Sequence, residues 1–326
     1  MARRRNSRSK NYGYARKIKQ AIKLALIIHY GYGHFGTVKT HMERFGLFLQ
    51  WIDEEFKIQD LRLITIHHLL QYVLYLKLLI NEEEIAVSTA INRISSVNVV
   101  MEIVREDYKV RIDEISKALE KKRCYIRRSI PDGMDASQVH HLHKELIANG
   151  HPRSAAIVLL ARSTGMRLRE CILADLPRLT REAENNRINI QDGCKGGRSG
   201  AFAPRWIAVT DEILYALNYA RQVSPAGSRN LLASHESYIQ FIRREVNPSR
   251  PLMKIHGIKG PHELRAAFAC ARYKDLVGTA APVFPSPERT AIQDRDAVRA
   301  ARQIISRELG HERIEVTNSY IGSETR

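Results

Sequence analysis

Six side chains in the second half of this 326-residue chain are of the types that phosphoryl transfer requires. Arg167 stands in "TGMRLRE" after an apolar run, so its guanidinium emerges beside packed structure rather than from a loose surface. Lys195 stands in the glycine-rich "CKGGRSG". His262 and Arg265 in "PHELR" are three residues apart and share one face of a helix. His311 and Tyr320 in "LGHERIEVTNSY" are nine apart. Singly, each has a plainer account: Arg167 as an ion-pair partner of Glu170, Lys195 as a solvated turn residue, His262 and Arg265 as an exposed helical turn, Tyr320 as an aromatic cap on a core. Together they form a chemical set. Two arginines can hold the non-bridging oxygens of a phosphodiester through forked hydrogen bonds and stabilise the charge that builds there. A tyrosine, whose free pKa is about 10, becomes a nucleophile only in such company. Histidines can take its proton or bind phosphate oxygen, and a lysine can protonate the leaving oxygen. Arg198 and Arg205 are the other basic residues near Lys195 that could serve as that acid. Arginines here stand where most nucleases use metal ions, so no metal and no cofactor is expected.

The elements that position these residues follow from charge and periodicity. The chain carries 52 Lys and Arg against 35 Asp and Glu, a net charge of +17, which calls for a polyanionic partner such as nucleic acid. A membrane is not expected as a solvent, because the best candidate span, "AIKLALIIHYGYG", is short and broken by Lys23. Cys124, Cys171, Cys194 and Cys270 form no CxxC pair, so they suggest neither a zinc ribbon nor a disulfide framework and read as reduced thiols; with no span and no clear cleavage site, the expectation is an intracellular protein, cytoplasmic and nucleoid-associated. "HHLH" at 140–143 lies on a helix with no acidic or thiol ligand beside it, and reads as solvated or DNA-facing histidines.

Residues 1–20 are basic and poor in apolar side chains, a flexible arm whose Arg3, Arg4, Arg5 and Arg8 are candidate DNA contacts. Helical periodicity begins near residue 36, where Val38, Met42, Phe45, Leu49 and Ile52 form one stripe. Two more helices follow, the second with Val87, Ile91, Ile94 and Met101 on one face, and a fourth over about 111–126 ends in "KKRCYIRRS". That basic end makes Lys121, Lys122, Arg123, Arg127 and Arg128 further candidate DNA contacts. Residues 21–130 thus read as a helical DNA-binding domain, and Pro131, Asp132 and Gly133 punctuate the start of a second domain over 131–326. There, helices give way to "RINIQDG" and "PRWIAVT", which alternate like strands on either side of the glycine-rich turn and predict a hairpin. Asp135 or Ser137, Thr210 and Ser234 are candidate helix caps, and Gly278 closes the helix that begins at "PHELR". The fold class is mainly α with one small β-hairpin in the C-terminal domain.

The order "TGMRLRE", a lysine in a glycine-rich hairpin, "HELR" and "LGHERIEVTNSY" resembles the catalytic domain of the tyrosine recombinase, or phage integrase, family. That family's motifs run TGLR-x-SE, GKG in a hairpin, H-x-L-R, and LGH followed nine residues later by the nucleophilic tyrosine. The helical first domain resembles the family's core-binding domain, so the likeness spans nearly the whole chain. The resemblance implies site-specific DNA recombination or integration for a mobile element: Tyr320 attacks a DNA phosphate to give a 3′-phosphotyrosine, Arg167 and Arg265 clamp the phosphate, His262 and His311 assist proton transfer, and Lys195 is the general acid. Glu170 matches a family carboxylate that orients Arg167. It further implies double-stranded DNA as partner, a tetramer of this chain on DNA, a place for accessory DNA-bending proteins, and no need of metal or ATP. Against the family's pattern, "GTAAPVFPSPERTAIQDRD" before His311 is an insertion, read as a subunit contact. The alternatives are a type IB topoisomerase-like enzyme with nearly the same chemistry and a DNA-binding protein with no working active site; the complete residue set speaks against the second.

Overall fold

The computed structural model describes residues 6, 8–194, 200–285 and 294–324 and divides into two compact units, Met1–Cys124 and Tyr125–Arg326. The division falls just N-terminal to the Pro131 punctuation. Arg3, Arg4, Arg5, Lys195 and Arg198 lie outside the described residues.

The first unit is built from α1 (Ile18–Tyr30), α2 (Phe35–Phe56), α3 (Ile66–Asn81), α4 (Val87–Arg105) and the single turn α5 (Ile115–Ala118). The α2 stripe forms as its spacing requires: Val38, Phe45, Leu49 and Ile52 are buried. Phe48 meets Tyr72 of α3 edge to face, ring centroids 4.9 Å apart. Three expectations change here. Helical structure begins at Ile18, not near 36, because Ala21, Ile22, Ala25 and Leu26 make a buried face of their own. The fourth helix shrinks to α5, since Glu120 turns to φ 52 and the charged run after it offers no apolar face to bury. The arm is folded in part: Asn11 is fully buried, its side chain accepting from the Leu61 N–H at 2.9 Å and donating to the Ala15 and Arg16 carbonyls.

The second unit comprises α6 (Ala136–Ala148), α7 (Pro152–Thr164), α8 (Leu168–Leu173), α9 (Leu176–Ala183), β1 (Arg187–Asn189), β2 (Trp206–Ala208), α10 (Asp211–Val223), α11 (Tyr238–Phe241), α12 (Asn247–Ile255), α13 (Pro261–Val277), α14 (Arg295–Glu308) and the single turn α15 (Asn318–Ile321). A π-helical turn, Ile242–Val246, joins α11 to α12. The central helix is α7, buried along nearly its whole circumference and packed by α6, α10 and α13. Pro152 at its first turn and left-handed Gly165 after its last residue fix its ends.

The strands pair antiparallel, with Ile188 opposite Ile207 and both facing the core. Asp135 and Thr210 cap α6 and α10 through their side chains. The cap of α11 is Ser237 rather than Ser234, in a reciprocal arrangement with Gln240. The "HHLH" cluster divides: His140 and His141 are exposed, but His143 is buried, its ring 4.6 Å from that of Tyr219. Helical spacing turns that residue inward, away from solvent and DNA.

Candidate active site

The site assembles at the end of α7, where the chain must turn sharply to leave a buried helix. Gly165 makes the turn at φ 64, and a Cβ there would stand 2.5 Å from the Phe268 ring. The carbonyl of Gly165 then faces inward and accepts from Arg265 Nη1 and, at 3.2 Å, from Arg205 Nη2. Two residues later Arg167 starts α8. Its N–H donates to Glu170 Oε2 at 2.7 Å, and its Nη1 to Glu170 Oε1 at 2.6 Å.

Glu170 is fully buried and is shared by three guanidinium groups. Besides Arg167, Arg205 Nη1 donates to Oε2 at 2.6 Å, and Arg265 Nη1 lies 3.8 Å from the same oxygen. Burial alone would raise the Glu170 carboxyl; Arg205 and Arg167 override it and hold it at about 2. Arg205 is 3 % exposed, and its Nε donates to the Glu308 carbonyl at 2.7 Å. It therefore ties β2 to α8, to the α7 turn and to the end of α14. This removes Arg205 as an alternative to Lys195, because a guanidinium locked behind the carboxylate cannot deliver a proton to solvent-side substrate. Its positioning role had no sequence signal, since nothing local to "PRWIAVT" marks Arg205 as buried.

Arg265 projects from the first half of α13 and is completely buried. Desolvation, with Arg205 nearby, pushes its pKa down to about 10, which leaves it cationic at neutral pH. Its Nη1 and Nη2 are held by the carbonyls of Gly165 and Leu309, and its Nε donates to the Tyr320 hydroxyl at 3.3 Å. The guanidinium carbon lies 5.3 Å from the centroid of the Tyr320 ring.

His311 is fixed by the turn after α14, where Ser306 Oγ donates to the carbonyls of His311 and Arg313. Its Nε2 lies 3.2 Å from Arg167 Nη2, 3.3 Å from Arg265 Nη2 and 3.2 Å from Tyr320 Oη. Guanidinium nitrogens only donate, so Nε2 is the accepting nitrogen and the ring proton belongs on Nδ1. The Tyr320 hydroxyl, which accepts from Arg265, thus has an accepting lone pair within reach for its own proton. Desolvation first, then Arg265, Arg167 and Arg205, push the His311 pKa down to about 4, so the ring is neutral at physiological pH and Nε2 keeps its lone pair. His262, one turn before Arg265, is open to solvent at the rim, its ring centroid 5.5 Å from that of Tyr320. Partial burial and Arg265 lower its pKa too.

Five of the expected residues (Arg167, His262, Arg265, His311 and Tyr320) and Glu170 thus converge from four separate segments. A cleft of about 810 Å³ opens onto Arg167, His262 and Arg265 and continues along Arg250, Lys254 and Lys259. The i, i+4 pair Arg250 and Lys254 is exposed and basic, and went unremarked in the sequence. Of the expected DNA contacts, Arg8, Lys121, Lys122, Arg123 and Arg128 are exposed. Arg127 is not available: its guanidinium is ion-paired with Glu263 and donates to the Ser129 carbonyl. The described part of the insertion packs against the helix that carries Tyr320, Val283 N–H donating to the Ile321 carbonyl at 2.9 Å.

No family model and no curated protein matches the chain. Solved structures do. A Tn1549 transposon integrase in complex with circular intermediate DNA superposes at TM-score 0.58 and 15% identity, covering 95% of this chain and 96% of that one. A variant of that integrase with another circular intermediate DNA gives 0.59 at 14% identity, and a variant with transposon right end DNA gives 0.56 at 15%, each over the same shares of the two chains. The chain thus has the fold of the Tn1549 transposon integrase.

Proposed function

We propose that this chain is a site-specific DNA recombinase that breaks and rejoins duplex DNA through a 3′-phosphotyrosine at Tyr320. The observation that carries the reading is the Tyr320 hydroxyl lying 3.2 Å from a neutral histidine and 3.3 Å from a buried arginine. A scissile phosphate takes over the donors that Arg167 and Arg265 direct at His311. That frees the His311 lone pair to accept the Tyr320 proton as the phenolic oxygen attacks phosphorus. Arg167 and Arg265 neutralise the charge that grows on the non-bridging oxygens, with His262 at the rim adding a donor. The bond to the 5′ oxygen breaks, and Lys195 supplies the proton that this oxygen needs to leave. The phosphotyrosine conserves the energy of the diester, so a 5′-hydroxyl from a second strand reverses the steps without ATP, and the arginines serve where a metal would. Fold likeness to an integrase solved on transposon DNA supports a mobile element as the setting. Exchange between two duplexes calls for several copies of the chain on DNA, a tetramer in this reading.

The test uses duplexes that span the junctions between the DNA carrying this gene and its surroundings, nicked so that the cleaved end diffuses away. Wild-type protein should form a covalent adduct with chelator present, and Tyr320→Phe should bind equally and form none. Relaxation of supercoiled DNA without any joined product would favour the topoisomerase-like reading instead.

A further inference from the structure

A helix and a phosphate site make opposite demands at the start of α13. The positive end of a helix favours an acidic residue in its first turn, and Glu263 stands there. The cleft that opens onto Arg167, His262 and Arg265 has to admit an anion. Glu263 is the one carboxylate among the described residues that line it, in the company of Arg250, Lys254 and Lys259. Burial alone would raise the Glu263 carboxyl; the hydrogen bonds from Arg127 and from the Asp132 N–H override it and lower it, so the group is an anion at neutral pH. Left bare, that charge would stand next to His262 and repel a phosphodiester.

Arg127 covers it. Its Nη1 donates to Glu263 Oε1 at 3.3 Å and its Nη2 to Oε2, a forked pair whose side chains are 10 % and 16 % exposed. The Asp132 N–H adds a donor to Oε2 at 3.1 Å. The guanidinium is placed by its own segment: Arg127 Nε donates to the Ser129 carbonyl at 2.7 Å, and the Arg127 N–H to the Asn318 carbonyl at 2.8 Å. The Asp132 carboxylate accepts from the Lys259 N–H at 2.9 Å, so residues 127–132 are pinned across the start of α13.

We infer that Arg127 is a positioning residue that acts by charge: it masks Glu263, so that the cleft offers a DNA phosphate no competing carboxylate and His262 stays available to the phosphate instead of pairing with its neighbour. The inference rests on the recombinase reading and adds to it a role for Arg127 other than contact with DNA. The charged groups that face the His262 ring are Arg265, Glu263, Arg127 and Arg167, with the Tyr320 ring against it and Lys254 and Lys259 along the same cleft. Glu263 is the one anion in that set. Without Arg127 its charge favours the imidazolium, and the His262 titration moves to higher pH.

The test compares wild type, Arg127→Met, Glu263→Gln and the double variant on the nicked junction duplex. Each is measured for DNA affinity, rate of adduct formation, thermal transition and the His262 titration by NMR. An unmasked like charge in the path of the phosphate should weaken the affinity of Arg127→Met roughly 10- to 100-fold, with its His262 titration displaced upward. Removing the carboxylate charge as well should restore both, and Glu263→Gln alone should bind at least as tightly as wild type. A double variant as weak as Arg127→Met overturns the proposal and makes Arg127 either a DNA contact or a residue of the fold, which the thermal transitions separate. Wild-type affinity and an unmoved His262 titration in Arg127→Met overturn it too. So does weakened binding by Glu263→Gln, an outcome that is readable even where Arg127→Met does not fold. If wild-type protein forms no adduct, the recombinase reading falls, while affinity and the His262 titration still decide whether Arg127 masks Glu263.

Discussion

At the level of single residues, Glu170 sets the geometry, because one buried carboxylate is shared by Arg167, Arg205 and Arg265. Replacing it with glutamine keeps the shape and removes the charge, which leaves buried cations facing each other. Glu170→Gln should lose about 3–5 kcal/mol of stability, the usual cost of breaking a buried pair from one side, and should slow adduct formation even at temperatures where the fold survives. Thermal melts and single-turnover trapping on the same preparation measure both; unchanged melting and cleavage would mean that the arginines find their places without it. Lys195 is tested through its chemistry. If it protonates the departing oxygen, Lys195→Ala should cleave ordinary DNA about 10²- to 10⁴-fold more slowly yet cleave a substrate with sulfur at the bridging position at nearly the wild-type rate, since a thiolate leaves without a proton. Rescue of Arg198→Ala in place of Lys195→Ala would transfer the acid role to Arg198.

At the level of elements, the turn at Gly165 links the central helix to the chemistry. Gly165→Ala forces a Cβ toward the Phe268 ring and a left-handed backbone on a residue that avoids it. A loss of about 1–3 kcal/mol is expected, and cleavage should fall further than stability, because the carbonyl that orients Arg205 and Arg265 moves with the turn. Calorimetry alongside the adduct assay separates the two effects; a melt and a cleavage rate both equal to wild type would show the turn to be compliant. Much of this architecture was legible from periodicity and punctuation. The α2 stripe, the hairpin strands, the Asp135 and Thr210 caps and the Gly278 stop all stand on local rules. The motif residues also came together, with Lys195 outside the described residues. What sequence could not reveal was burial decided at long range. Arg205 read as an alternative acid beside Lys195 because the carboxylate and carbonyls that satisfy it lie far along the chain. Arg127 read as a DNA contact because its partner Glu263 is 136 residues away. His143 read as solvated because only the arrival of Tyr219 covers it.

For the molecule as a whole, the depressed histidines make stability depend on pH. His311, pushed down to about 4, and His262, His143, His41 and His68, all lowered with burial as the leading cause, resist protonation in the folded state. In the unfolded chain they take up protons near pH 6.5. Where the unfolded state binds more protons, stability rises with pH, so the contribution is complete above about pH 6.5 and is lost as the pH falls toward 4. Glu308, raised by burial, acts in the opposite sense at the acid end. Melting temperature should therefore fall between pH 7 and 5, and His311→Gln should flatten the fall; a melting temperature that holds constant or climbs over this interval would contradict the neutral His311 on which the proton transfer depends. The net charge of +17 and the basic cleft beside Arg167 suit a polyanion, and the reaction proposed there comes down to a single bond. Wild-type protein trapped on a nicked junction duplex in the presence of chelator, digested and sequenced by mass spectrometry, should carry its nucleotide adduct on Tyr320 and on none of the other tyrosines, through the 3′ phosphate. An adduct on a different residue, attachment through the 5′ phosphate, or an adduct that forms only when a divalent metal is restored would contradict the account.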